Sequence, residues 1–279
     1  MADTPVTTMD VRRVTTPRGT DCRVLVGGPE GGLPVVVLHS AAGLIGDERF
    51  LVELAAQGYR VHAPELPGYG DSTGEDTLED MLDFTLHSWD VVDGLGLDRP
   101  VLVGHSMGGM IAAEMAAICP RRAAALVLVS PLGLWDDQRP IPDIFALLPF
   151  QLPQLLFADA DAGAALLTGG VDFDDMAALT EFFVGNARRL GTAGKILFPI
   201  PNRRLSKRLY RVDAPVLLVW GGRDAYVDPA YAERWRAALP SATLVSLEGA
   251  GHMSIFEAPE QAAAAVSAFL IAAPQGRTR

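Results

Sequence analysis

Gly104-His105-Ser106-Met107-Gly108 is the stretch that most constrains what this 279-residue chain can become. It follows the apolar run Pro100-Val101-Leu102-Val103 and leads into a small-residue helical pattern from Met110 to Cys119. The order is strand, sharp turn, helix, with a serine at the turn. In that context a G-x-S-x-G pattern reads as a nucleophile elbow. The physics is steric. The turn strains the serine backbone so that its hydroxyl stands clear of a sheet. The residues two before and two after must be tiny, or their side chains would collide with the neighbouring strand and helix. Gly104 and Gly108 meet that demand, and Gly109 allows closer packing still. A glycine-rich strand-to-helix turn of any α/β protein would look the same, so the chemical reading needs partners for Ser106.

Serine is a weak nucleophile at neutral pH. It needs an imidazole to take its proton and a carboxylate to fix the imidazole tautomer. In proteins built around such an elbow the chain order is Ser, then Asp or Glu, then His. Of five histidines only His252 lies downstream of Ser106, in Gly249-Ala250-Gly251-His252-Met253. It follows a strand pattern, Ala242 to Leu247. The acid is expected after a strand between the two. Ala214 to Trp220 is an apolar run bounded by turn residues, and it ends in Gly221-Gly222-Arg223-Asp224. Asp224 therefore lies where ligands gather in open α/β sheets, at the carboxyl end of a strand. Asp228-Pro229 precedes a helical pattern from Ala230 to Leu239, so Asp228 reads as an N-cap. Glu248 reads as the end of its strand. Asp136 and Asp137 follow the strand Ala125 to Val129, where some related folds place the acid.

Acyl transfer builds negative charge on a carbonyl oxygen, and backbone N–H donors aimed at it are often the largest catalytic contribution. Met107 N–H, directly after the serine, is one expected donor. A second should come from the loop after an early strand. Leu33 to Leu38 is such a strand, followed by His39-Ser40-Ala41-Ala42-Gly43. At this point the chain resembles the α/β-hydrolase superfamily, in its capped esterase and carbon–carbon hydrolase branches. Those proteins carry His-Gly-x-x-Gly here, and the residue after the first glycine supplies the N–H. By position that residue is Ala41, with Ser40 standing where the family has glycine. His39 reads as a loop organiser. Ala63 to Ser72 resembles the family's Asp-x-x-Gly-x-Gly-x-Ser segment with Glu65 in place of Asp, a structural turn cluster. The resemblance covers roughly residues 20 to 135 and 210 to 272. It implies an α/β fold, a mostly parallel central sheet with helices on both faces, and an inserted helical cap.

The alternation of strand and helix patterns agrees. Strands are expected at Cys22–Val26, Val35–His39, Arg60–Ala63, Val101–Gly104, Ala125–Ser130, Val216–Trp220 and Thr243–Leu247. Helices are expected at Arg49–Gln57, Thr77–Gly94, Gly108–Ile118, Tyr231–Leu239 and Pro259–Ala272. The alternation breaks between about Leu132 and Arg211, which has no convincing strand and reads as short helices. Seven of the chain's 11 Phe fall there. We expect residues 1–131 and 212–279 to form the core and 132–211 a helical lid over Ser106. Ser40, Trp135, Phe145, Phe150, Phe182 and Phe183 are the candidates to line a pocket beneath it. The stretch from Arg188 to Arg211 is basic. It reads either as an attraction for a substrate carboxylate or as a solvated face balanced by the acidic run Asp159 to Asp175.

The net charge of −11 disfavours nucleic acid and anionic membrane surfaces. Cys22 and Cys119 are far apart, with no metal spacing, and read as reduced thiols of a cytoplasmic protein. Met1 to Arg13 lacks an apolar signal core, and no run is long enough for a membrane span. Met1 to Asp10 and Pro274 to Arg279 read as loose ends. Neither a G-x-G-x-x-G nor a phosphate-binding loop is present. The expectation is a serine hydrolase needing no cofactor or metal, acting on small apolar or aromatic esters, with a homodimer possible. The alternatives are a carbon–carbon hydrolase of ring-cleavage-type keto acids with the same triad, and a hydrolase-fold receptor without turnover.

Overall fold

A computed structural model describes residues 9–46, 48–200 and 204–273. Pro201, Arg203 and most of the two expected loose ends, Met1 to Asp10 and Pro274 to Arg279, lie outside them. The eight strands are β1 (Asp10–Thr15), β2 (Asp21–Gly27), β3 (Pro34–Leu38), β4 (Arg60–Pro64), β5 (Val101–His105), β6 (Ala125–Val129), β7 (Val216–Gly221) and β8 (Thr243–Leu247). They form one sheet in the order β1-β2-β4-β3-β5-β6-β7-β8. β1 and β2 pair antiparallel with their neighbours, and every other pairing is parallel.

The strand interiors explain this arrangement. β5, β6 and β7 are continuous Val/Leu runs, and every residue in them is buried. A strand covered on both faces has no polar side to alternate with. The helices are α1 (Arg49–Ala56), α2 (Met81–Gly94), α3 (Met107–Ile118), α4 (Leu152–Leu156), α5 (Ala160–Thr168), α6 (Met176–Leu197), α7 (Tyr231–Ala238), α8 (Ser254–Glu257) and α9 (Pro259–Ala272). α1 packs on α9 and α2 on α3, the pairs that cover the sheet.

Two elements differ from the sequence reading. β1 was not expected, because Asp-Val-Arg-Arg-Val-Thr on a sheet edge is exposed at all but one residue and has no hydrophobic alternation to read. The segment between β6 and β7 contains no strand among the described residues, but its helices are not all short. α6 runs for 22 residues. Asp175 caps it by accepting the N–H of Ala177 at 2.8 Å. Asp159 caps α5 in the same way. Asp159 and Asp175 therefore serve helix ends, and three cations of the basic stretch turn to the core. Arg188 pairs with Glu75 (2.9 Å) and donates to the Ser72 carbonyl (2.7 Å). Lys195 donates to the carbonyls of Glu75 and Leu78 at 2.8 and 3.1 Å. Arg208 pairs with Glu114 of α3. The C-terminal half of the insertion is thus fastened to the sheet layer.

Four histidines are buried as neutral rings. Burial pushes His39, His62 and His87 down to about 4 and His105 to about 3, from an ordinary 6.5. The unfolded chain binds protons on these rings between pH 6.5 and 4 while the folded chain does not. Stability is then fully present above pH 6.5 and is lost as pH falls toward 4. Thermal melts followed by circular dichroism should show a Tm constant from pH 8 to 6.5, then falling by on the order of 10 °C or more by pH 4.5. A Tm that stays level down to pH 4.5 would contradict this assignment.

Candidate active site

Ser106 sits between β5 and α3 with φ 56° and ψ −113°, in the left-handed region that non-glycine residues avoid. Such strain persists only where the surroundings enforce it. Here Ser106 N–H donates to the Val129 carbonyl of β6 (2.9 Å), and its own carbonyl accepts Met110 N–H and Leu132 N–H, both at 3.1 Å. A Cβ on Gly104 would overlap the Gly108 carbonyl, and one on Gly108 would overlap the carbonyls of Leu38 and His39. The spacing of small residues read from the sequence thus has a direct steric cause.

Ser106 Oγ lies 2.8 Å from His252 Nε2, and His252 Nδ1 lies 2.9 Å from Asp224 Oδ2. The carboxylate accepts, so Nδ1 carries the proton and Nε2 is free to accept from the serine hydroxyl. The His252 and Asp224 side chains are 1% and 0% exposed, so water does not compete for this pair. Asp224 Oδ1 accepts the N–H groups of Tyr226 (3.0 Å) and Val227 (2.8 Å), which leaves only Oδ2 for the imidazole. The Tyr226 ring stands edge-on to the His252 ring at 4.8 Å. His105 Nε2–H donates to the His252 carbonyl at 2.9 Å and ties its loop to the end of β5.

Two of the other carboxylates considered for the acid are engaged elsewhere. Asp136 pairs with Arg234 at 2.8 Å. Asp228 Oδ1 accepts Ala230 N–H at 2.8 Å, closing a turn just ahead of α7, whose cap position is Ala230 itself.

At the loop after β3, Ser40 is not among the residues with positive φ, so a serine fits without strain. Its Oγ accepts Ala42 N–H at 3.2 Å. His39 Nδ1–H donates to the Ser40 carbonyl (2.7 Å) and Nε2 accepts Leu66 N–H (3.0 Å), which joins this loop to the 65–72 segment. Glu65 in that segment pairs with Arg23 at 3.1 Å. Met107 opens α3, so its N–H belongs to the first-turn donors that lack an intrahelical acceptor.

Ser106 and His252 open into a cavity of about 530 Å³. Ser40 and Ala41 lie on its floor, and Phe150, Phe173, Phe182 and Phe183 reach it from the insertion. Phe150 and Phe183 are 72% and 52% exposed, which puts them at the mouth. Trp135 and Phe145 are placed elsewhere. The Trp135 indole N–H donates to Asp137 at 3.0 Å, and its ring borders a separate small cavity beside Met110. Phe145 packs on Phe198 with ring centres 4.9 Å apart. Sequence gives no means to tell which of several clustered aromatics face one cavity.

Arg189 belongs to the basic stretch expected either to attract a substrate carboxylate or to form a solvated face, and nothing in that stretch singled it out from its neighbours. It lines the cavity, and burial lowers its pKa. It donates a long hydrogen bond to Asn186 Oδ1 at 3.4 Å. Arg188 and Arg189 are adjacent on α6, so they point about 100° apart. One finds Glu75, and the other faces the cavity.

Among the described residues no cluster of three or more His, Cys, Asp or Glu could hold a metal ion. No described helix is long and apolar enough to cross a membrane.

A family model described as alpha/beta hydrolase fold matches residues 34–259. The dihydrolipoyllysine-residue acetyltransferase component of an acetoin cleaving system from Cupriavidus necator is 30% identical over 245 residues, covering 81% of this chain. The chain spans only 60% of that relative's length. A 2-hydroxy-6-oxo-6-phenylhexa-2,4-dienoate hydrolase of Burkholderia cepacia is 28% identical, covering 81% of this chain and 83% of its own. Among solved structures, a bacterial membrane phospholipase A superposes with a TM-score of 0.75 at 25% identity, over 94% of this chain and 86% of its own.

Proposed function

The chain belongs to the alpha/beta hydrolase fold family, and from that premise we propose that it is a serine carboxylesterase acting on small apolar or aromatic esters without a cofactor. One observation carries the reading: the hydrogen-bonded series Ser106, His252, Asp224 ends at a largely apolar cavity of about 530 Å³. Residues 132–211 act as the cap that roofs this cavity.

In the first half-reaction Ser106 Oγ attacks the ester carbonyl carbon and His252 Nε2 takes the hydroxyl proton. Asp224 stabilises the imidazolium. The oxyanion accepts the N–H groups of Ala41 and Met107. The C–O bond to the alcohol breaks, and His252 returns the proton to the departing oxygen. Water, deprotonated by the same imidazole, then hydrolyses the acyl-enzyme and frees Ser106. A protein that only bound its ligand would need no such donor–acceptor order.

A panel of p-nitrophenyl esters tests this reading. Burying each added CH₂ is worth about 0.8 kcal/mol, so kcat/KM should rise roughly fourfold per carbon and break off when the cavity is full. A flat length profile removes the apolar-acyl reading. Absence of both turnover and fluorophosphonate labelling removes the serine-hydrolase reading and revives that of a receptor.

Arg189 favours a second reading. A guanidinium lining an apolar cavity suits a carboxylate, and the Burkholderia relative is named for a substrate that carries one. With the same triad the chain would then cleave a carbon–carbon bond beside a ketone. Arg189→Met separates the two. It should leave neutral esters within about threefold, but lower kcat/KM for a dienoate keto acid by on the order of 10² if the carboxylate is bound there.

A further inference from the structure

The loop that carries His252 is stitched to the roof of the cavity. Glu257, at the end of α8, spans the two. Its Oε2 accepts Gly251 N–H at 2.8 Å, and its Oε1 accepts Ala158 N–H at 2.7 Å. Gly251 is the residue before His252. Ala158 lies in the junction between α4 and α5, the helices whose Leu156 and Leu167 line the cavity. A third bond runs alongside, from Met253 N–H to the Leu156 carbonyl at 3.0 Å. The approach is close enough that a Cβ on Gly251 would meet Ala158 N and the Phe157 carbonyl carbon. His252 is therefore flanked on both sides in sequence by N–H groups held to the roof or to the carboxylate that joins it.

We propose that Glu257 is a positioning residue that couples occupancy of the acyl cavity to the placement of the His252 imidazole. The inference rests on the serine-hydrolase reading above. The physical argument is geometric. A carboxylate accepting two backbone N–H groups, one on each element, fixes their separation more tightly than apolar packing would. An acyl chain pressing on Leu156 bears on a segment that cannot shift without moving Gly251 or breaking a charge-assisted bond. The imidazole must stay within hydrogen-bond reach of both Ser106 and the leaving oxygen, and a misplacement near 1 Å can cost about 10²-fold in rate. Filling the roof then raises kcat as well as lowering KM.

Three variants and one measurement on the unmodified protein test this. Glu257→Ala removes both acceptors. It should lower kcat about tenfold with KM within about twofold, and the gain in kcat from acetyl to hexanoyl esters should disappear. Glu257→Gln keeps one acceptor but turns an NH₂ toward the other N–H, so it should behave like the alanine variant rather than rescue it. Gly251→Ala keeps the Glu257 side chain, but its Cβ would press on Ala158 N, the Phe157 carbonyl carbon and Glu257 Oε2, and so would loosen the same junction. It should flatten the same kcat profile. In the unmodified protein, a hexanoyl-length fluorophosphonate adduct should slow hydrogen exchange at the Ala158 and Gly251 amides together, and a methyl adduct should not. A folded Glu257→Ala protein with an unchanged kcat profile overturns the coupling. So does independent exchange at the two amides in the hexanoyl adduct, which needs no variant to fold. Failure of the serine reading looks different: the unmodified protein itself is then neither labelled nor active.

Discussion

Ser106→Ala is expected to reduce ester turnover by at least about 10⁴-fold and to abolish fluorophosphonate labelling, while the protein keeps its fold. The variant removes one hydroxyl that donates to His252 Nε2. The Cβ stays, so the φ of 56° and its steric cost are unchanged. The elbow is held by backbone bonds to Val129, Met110 and Leu132, none of which involves the side chain. Thermal stability should therefore move by little. His252→Ala should be nearly as damaging as Ser106→Ala, because members of such a unit do not contribute additively. Residual activity within tenfold of the unmodified enzyme, measured on protein free of contaminating esterase, would end the serine mechanism.

Asp224→Asn is expected to lower kcat by on the order of 10³ to 10⁴. The surroundings of Asp224 make the reason specific. One carboxylate oxygen is committed to the N–H groups of Tyr226 and Val227. An asparagine would keep its carbonyl oxygen there, because an NH₂ cannot accept those bonds. Its NH₂ would then face His252 Nδ1 and favour the tautomer protonated on Nε2. That ring cannot take a proton from Ser106. Asp228→Asn is the matched control. Its carboxylate is half exposed, and an asparagine oxygen can still accept Ala230 N–H. It should leave kcat within about twofold. If the two variants exchange these effects, the acid has been assigned to the wrong residue.

The chain by itself determined the frame. Seven of the eight described strands are legible: β5, β6 and β7 as apolar runs buried throughout, and the edge strand β8 from Leu244, Val245 and Leu247 between turn residues. The exception, β1, buries one residue only, and its Asp-Val-Arg-Arg-Val-Thr run carries no apolar signal to read. The order of Ser106, Asp224 and His252 is legible because each follows a strand of a parallel sheet, and the carboxyl ends of such strands come together at one edge. The glycines around Ser106 are legible because the overlap they avoid lies within one turn and its neighbouring strand.

Only the tertiary structure decided the rest, and the reason is the same each time. The insertion between β6 and β7 is helical, and helical spacing says that a residue lies on some face without saying what that face meets. Phe182 and Phe145 look alike in sequence, yet one reaches the cavity of Ser106 and the other packs on Phe198. Arg188 and Arg189 are neighbours, yet one is spent on Glu75 and the other enters the cavity. Glu257 meets Ala158 across 99 residues of chain. Periodicity reports burial and local geometry, whereas partners so distant in sequence are chosen by how the layers pack.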